Sequence, residues 1–158
     1  MSLSRALGSG LAGAIALTLL HESARRMIPE APRMDLLGMR AIARTLRAAD
    51  QEPPPPDQLH PMSLAADLLS NSLYYSLIGA VGGHFVWLWG ALLGLLAGIG
   101  GVVLPPLLGL GSKPSARTPA TALMTVAWYT VGGLIAAAAY RKMQPSSYGE
   151  IWRKHAAV

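Results

Sequence analysis

The chain has 158 residues, no cysteine, and 13% charged residues against 52% hydrophobic ones. Soluble domains carry about 25% charged residues, so much of the charge of a water-exposed surface is missing, and without cysteine there is no disulfide, thiol nucleophile or thiolate metal site. The net charge of +5 would invite a nucleic-acid reading in a soluble protein, but here the basic residues flank apolar segments, where they set membrane topology; no nucleic-acid partner is expected.

The first apolar run, Ala6 to Leu20, predicts a span over about residues 5–27, lengthened by a snorkelling Arg5. A secretory signal is the rival reading. His21-Glu22-Ser23-Ala24-Arg25-Arg26 lacks the small residues that precede a cleavage site, so the expectation is an uncleaved helix broken at Pro29. Glu22 and Arg26 are spaced for an i,i+4 ion pair worth about 0.3–0.5 kcal/mol. From Pro29 to Pro61 the chain is polar. Within it Leu36, Met39, Ala43 and Leu46 recur at helical spacing, while Arg40, Arg44 and Arg47 share a neighbouring face and Arg33 stands just before. Three arginines disfavour a crossing. The pattern predicts an amphipathic helix over about 33–49, either lying on the membrane with its basic residues toward lipid phosphates or packing on the cytoplasmic end of the helices. Pro53 to Pro56 read as a stiff spacer within a proline-rich linker over 50–61.

Between Asp67 and Lys113 there is no Asp, Glu, Lys or Arg. That run accommodates two crossings of roughly 20 residues each: a second span over 63–81 and a third over 84–104, joined by a tight turn at Gly82-Gly83 and ended by Pro105-Pro106. Ser112-Lys113-Pro114-Ser115 reads as an ordinary interfacial loop. A fourth span over 121–140 closes on Arg141-Lys142. The expected fold is therefore all-α: a single domain forming an integral membrane four-helix bundle, with an interfacial amphipathic helix between the first and second spans. Arg25, Arg26, Arg33, Arg40, Arg44, Arg47, Lys113 and Arg117 lie on one side of such a bundle, and Arg5, Arg141, Lys142, Arg153 and Lys154 on the other. The positive-inside rule then places the termini on the non-cytoplasmic side.

Gly90, Gly94 and Gly98 repeat at every fourth position, and Gly132, Gly133 and Ala136 offer a similar small surface on the fourth span. In lipid no hydrophobic force draws helices together, so such stripes mark close helix packing, within the chain or against a neighbour. Gly10 and Ala14 give the first span a third such face. Asp67, Asn71 and Tyr74 fall on one face of the second span. An ionisable residue within a span is a functional candidate, but Asp67 stands about one turn into the span, within reach of water, and reads first as a helix-end carboxylate favoured by the N-terminal dipole. Asn71 and Tyr74 are expected to hydrogen-bond across the bundle, with room for a small polar cavity. His84, Phe85, Trp87 and Trp89 sit where an aromatic belt belongs, whereas Trp128 and Tyr129 read as core filling. His21 and His84 stand a bilayer apart and cannot share an iron. No nucleotide-binding loop, serine elbow or paired acidic motif is present, so no catalytic residue, cofactor or metal is expected.

Residues 21–26 and Ala31-Pro32-Arg33-Met34-Asp35-Leu36-Leu37-Gly38-Met39-Arg40-Ala41, with Leu107-Leu108-Gly109-Leu110, Arg117-Thr118, Tyr129 and Gly132-Gly133-Leu134, resemble a group of small uncharacterised bacterial four-helix inner-membrane proteins. The resemblance implies a multi-pass protein of a bacterial inner (plasma) membrane and attaches no activity to it. Gly38 weakens the helix it stands in, which sets the 33–40 segment apart from a generic lipid-covering helix. The expected function is a non-enzymatic structural, scaffold or accessory subunit whose partners are the bilayer and other transmembrane subunits or itself. The alternative is a small transporter, channel or lipid- or ligand-binding protein that uses the Asp67, Asn71 and Tyr74 face.

Overall fold

The computed structural model describes residues 2–81 and 85–144, and all regular structure among them is helical: α1 Leu3–Met27, α2 Met34–Ala48, α3 Pro56–Val81, α4 Val86–Leu107, α5 Lys113–Ala116 and α6 Pro119–Lys142. Three of these, α1, α4 and α6, are long and apolar enough to cross a membrane. Their outer surfaces suit lipid. Leu7, Leu11, Ile15 and Leu19 are exposed at every fourth position of α1, and Leu88, Leu92, Leu96, Ile99 and Val103 are exposed along α4. Water would oppose such a surface and hydrocarbon favours it. The chain is a multi-pass membrane protein.

Helix α6 lies between α1 and α4 and is antiparallel to both, as the order of its contacts shows. Gly8 meets Met143 and Gly13 meets Gly132 and Ala136, while Gly90 meets Gly133 and Ala137, Gly94 meets Tyr129 and Thr130, and Gly98 meets Val126. A Cβ on Gly94 would stand 2.5 Å from the Thr130 Cα, so only hydrogen fits there. Close backbone approach of this kind supplies the dispersion contact that drives helix association in lipid. The local start of α6 is well specified: Pro119 occupies its first turn, and the Thr118 hydroxyl caps it by accepting from the Thr121 N–H at 3.1 Å.

Helix α3 runs antiparallel along α1, with Gly79 beside Ala6 and Gly10 against the backbone of Ser72 and Ser76. Leu17, Tyr75, Ile78, Val86, Tyr129, Ala136, Ala137 and Tyr140 form the buried core among the helices. The Tyr75 hydroxyl donates to the Tyr129 carbonyl at 2.7 Å, so the ring fills the centre while its polar tip is satisfied. At the opposite end from α2, Arg141 lies over the Trp87 ring, 5.8 Å from its centroid.

Several boundaries differ from the sequence reading. The linker is shorter than 50–61, because α3 begins at Pro56 rather than near 63. A proline's fixed φ suits a first helical position, and that preference outweighs the spacer reading of the last proline in the run. Pro61 sits inside α3 and removes a donor from the Asp57 carbonyl, at an exposed stretch of the helix. Pro105 and Pro106 do not end α4, which runs to Leu107. Termination comes at Gly109, whose φ is +69°. The Gly109 N–H bonds the Pro106 carbonyl at 3.1 Å and the Leu110 N–H bonds the Pro105 carbonyl at 2.8 Å, the Schellman pattern with glycine in the left-handed position. The 112–115 stretch contains the short helix α5, with Pro114 and Ser115 buried. Glu22 takes both hydrogen bonds from Arg25, at 2.6 and 2.8 Å, and Arg26 reaches it only at 3.8 Å. Arg25 also faces Asp35 and His60, at 3.9 and 3.4 Å, so it lies on the inner side of the helix and Arg26 on the outer. Gly82, Gly83, His84, Arg153 and Lys154 lie outside the described residues.

Candidate functional site: a cleft between α2, α3 and α4

Helices α1 and α3 pack along their lengths, as do α4 and α6, but α3 and α4 touch sparingly. One tie between them is the Tyr74 hydroxyl, which donates to the Leu93 carbonyl at 2.9 Å. From there toward α2 the two helices enclose a cavity of about 670 Å³, within the range of small-molecule sites. Ala97, Gly100, Gly101 and Leu104 form the α4 wall, and Leu37, Ala41 and Ile42 of α2 close the end. Ala66, Ser70, Leu96, Leu104 and Leu108 are exposed at its rim. A Cβ added at Gly100 would meet nothing nearer than 3.5 Å, and one at Gly101 nothing nearer than 3.4 Å. A Cβ has room at both positions, in ordinary contact with Leu104 or with Thr125 and Tyr129, whereas at Gly90, Gly94 and Gly98 the α6 backbone leaves none.

The α3 wall is polar. Ser63, Asp67, Ser70, Asn71 and Tyr74 all line the cavity. The Asn71 amide donates to the Asp67 carbonyl oxygen and to the Asp67 Oδ1, both at 2.9 Å, and Ser70 donates to the Asp67 carbonyl at 3.1 Å. Ser63 is buried and donates to the Asp35 carbonyl at 3.1 Å. Asp67 lies about three turns from the start of α3 at Pro56, so the reading of a carboxylate one turn into its helix, favoured by the dipole, does not hold. Among the described residues no Lys, Arg or His lies within 4.0 Å of it. Tyr129, expected to be core filling, is buried and also lines the cavity.

No protein-family model matches the chain, and no curated protein or solved structure matches it. What the site can do rests on its own chemistry.

Helix α2 is held over the cavity by polar contacts at both ends. The Arg33 N–H bonds the Pro114 carbonyl at 2.7 Å, and its guanidinium makes a two-pronged contact with Asp35 at 2.8 and 2.9 Å. Burial works to raise the Asp35 carboxyl, but the Arg33 hydrogen bonds and charge, the Leu36 N–H and Arg25 together hold it below its ordinary value. At the far end Arg40 donates to the Leu110 carbonyl at 2.9 Å and Arg44 to the Gly109 carbonyl at 3.4 Å. Both guanidiniums therefore serve the carbonyls that follow α4. Arg40, Arg44 and the exposed Arg47 line a second, smaller cavity of about 430 Å³. The sequence reading grouped Arg33 with these three; in space Arg33 belongs instead with Arg25, Arg26 and Arg117 around a cavity of about 220 Å³.

Sequence reasoning missed His21. It stood there as a helix-end residue, yet it is 6% exposed, with both ring nitrogens unpartnered, and packs edgewise on Trp128 and Tyr129 at centroid distances of 5.1 and 5.7 Å. The available signal was its register, since Gly10, Ala14, Leu17, His21 and Ala24 share one buried face of α1. The α4 wall was missed too. Gly100 stands off the Gly90, Gly94, Gly98 stripe, whereas Gly101 continues it and faces the Thr125 and Tyr129 side chains of α6.

Proposed function

We propose that this chain is a four-crossing membrane protein that holds a lipid-like amphiphile in the cleft between α2, α3 and α4. The observation that carries the reading is a large apolar cavity with one polar wall, placed where two outward helices part. Small-molecule sites combine largely apolar lining with a few convergent polar groups. The exposed leucines at the rim make the bilayer the source of the occupant.

The fourth crossing in this reading is α3. Its residues accompany α1 from Ser63, which shares a small cavity with Thr18 and His21, to Gly79 beside Ala6. Over that length its outer face presents Leu69, Leu73 and Leu77. Its polar residues turn toward the cavity and toward neighbouring helices, as intramembrane polar groups must. In this bundle α2 is an interfacial helix, apolar toward the cleft and basic on its far side, as lipid phosphates favour. The excess of Lys and Arg flanking the α2 end supports a cytoplasmic position for α2 and non-cytoplasmic termini in a bacterial inner membrane.

The scaffold reading rests on the glycine stripes, on a membrane-surface helix and on the lack of a catalytic motif in the sequence. Gly90, Gly94, Gly98, Gly132 and Gly133 already face other helices of this chain, and among the described residues this leaves the stripes without a need for a partner subunit. A ligand-binding role has the better support.

The test is purification in a mild detergent followed by native mass spectrometry and lipid extraction, comparing the wild type with Gly100→Leu. The substituted side chain grows into the cavity without meeting backbone and removes a helix glycine, a change that favours the helix by roughly 1 kcal/mol. A retained amphiphile in the wild type, lost from a well-folded G100L, is the expected result. Equal lipid on both proteins overturns the reading, and a stoichiometric membrane-protein partner in place of lipid returns the scaffold reading.

A further inference from the structure

The polar wall of the cleft restricts what its occupant can be. Both amide hydrogens of Asn71 are engaged by the Asp67 carbonyl and Oδ1, the Ser70 hydroxyl by the Asp67 carbonyl, the Tyr74 hydroxyl by the Leu93 carbonyl and the Ser63 hydroxyl by the Asp35 carbonyl. The donors of the α3 wall are thus already satisfied within the protein. What this wall keeps for a ligand is acceptor capacity: the second carboxylate oxygen of Asp67 and the side-chain oxygen of Asn71. The neighbouring Tyr74 and Tyr129 rings line the same space, and the negative faces of aromatic rings attract cations.

Among the described residues Asp67 has no countercharge. None of their ion pairs involves it, and Arg25, Arg33, Arg40 and Arg44 are occupied at the α2 end with Glu22, Asp35 and the carbonyls of Leu110 and Gly109. A carboxylate inside an apolar cavity is costly unless something pairs with it. An amphiphile with an ammonium head would supply the missing charge, while its chain lies along Ala97, Gly100, Leu104 and Leu108. An anionic head would meet a carboxylate, and a carbonyl or quinone head would meet the acceptors of α3 with only the Tyr129 hydroxyl of α6 as a donor.

Resting on the cleft reading above, we infer that the cleft selects cationic amphiphiles, with an amine or quaternary ammonium seated on Asp67 between Asn71, Tyr74 and Tyr129. The juxtaposition of one unpaired carboxylate, two tyrosine rings and an apolar cavity of about 670 Å³ defines the class.

The experiment measures binding of three probes with the same sixteen-carbon chain to the purified protein in dodecyl maltoside micelles: hexadecyltrimethylammonium, hexadecanol and hexadecyl sulfate. Wild type is expected to bind the ammonium probe about tenfold more tightly than the alcohol, and the sulfate most weakly. Asp67→Asn keeps the shape of the side chain and is expected to erase the ammonium preference, with the alcohol losing far less than the ammonium because it gives up only a neutral donor's hydrogen bond. Gly100→Leu should weaken both. The probe ranking in the wild type needs no variant and stands even if D67N folds poorly. An equal affinity of wild type for ammonium and alcohol overturns the inference but leaves the cleft reading intact, as does an ammonium preference that survives in a folded D67N. Failure of all three probes to bind overturns the cleft reading and this one with it.

Discussion

Gly38 of α2 rests directly on Ser63 of α3: a Cβ at position 38 would fall on the Ser63 hydroxyl, with the Ser63 Cβ only 3.2 Å away. The same hydroxyl donates to the Asp35 carbonyl one turn earlier in α2. Glycine costs a helix interior about 1 kcal/mol relative to alanine, and at Gly38 that cost is offset by close docking of α2 over the cleft. Gly38→Ala should therefore loosen α2 even though it raises the helix propensity of the segment. The chain has no cysteine, so a spin label at Ala48→Cys reports α2 alone. Its mobility is expected to rise in G38A and to fall part-way back when Ser63→Ala is added, since the clash with the hydroxyl is then gone. Unchanged mobility in G38A removes close docking as the reason for the glycine.

How far the sequence reaches is visible at particular residues. The helices α1, α4 and α6 were legible because a run of apolar residues without charge has few alternatives to crossing a bilayer. The end of α4 was not, because Pro105 and Pro106 are strong local stop signals and the deciding residue was Gly109, whose left-handed conformation closes the helix. The polar face of Asp67, Asn71 and Tyr74 followed from spacing alone. The opposite wall of the cleft did not. Gly101 continues the packed stripe in sequence, and only the structure shows that it meets side chains of α6 where Gly90, Gly94 and Gly98 meet its backbone, while Gly100 faces away from α6.

That distinction can be measured. At Gly94 a Cβ would stand 2.5 Å from the Thr130 Cα and 2.6 Å from the Tyr129 carbonyl oxygen. Both are backbone atoms, and neither can rotate away. Gly94→Ala should separate α4 from α6 at a cost of about 1–3 kcal/mol, the usual penalty of overpacking. Gly101→Ala, about two turns further along the same helix, meets nothing inside 3.4 Å and should be neutral or slightly stabilising. The midpoint of unfolding in sodium dodecyl sulfate, titrated into mild-detergent micelles, separates the two. Equal destabilisation at both positions would show that helix conformation, not contact with α6, governs these glycines.

Tyr75 is fully buried, and its hydroxyl reaches the Tyr129 carbonyl at 2.7 Å. Tyr75→Phe retains the ring and deletes the bond. Interhelical hydrogen bonds in membrane proteins contribute about 0.6 kcal/mol on average and up to about 1.7. The expected loss lies in that range, since the acceptor also keeps its place in the α6 ladder. The same variant should leave amphiphile binding untouched, because Tyr75 faces α1 and α6 and does not line the cleft. A loss above 3 kcal/mol, or a change in probe affinity, contradicts that placement.

Acid should release α2. The Asp35 carboxyl is held below its ordinary value, with Arg33 and Arg25 outweighing the burial that pushes it up. A carboxylate whose folded-state value is depressed contributes stability that is fully present above its unfolded value, about 3.9, and lost as pH falls through the lower folded one. Docking of α2 should accordingly be insensitive to pH between about 7 and 5 and weaken only on acidification below the ordinary carboxylate range. Asp35→Asn removes the charge that answers Arg33 while keeping the side chain's size. In that background the spin label at Ala48→Cys should already be more mobile at neutral pH, and the acid-induced rise should shrink. Every other ionisable group is common to both proteins, so the difference between the two pH profiles isolates Asp35. Identical profiles would mean that α2 is held by its apolar face on α3 and not by the Arg33–Asp35 pair.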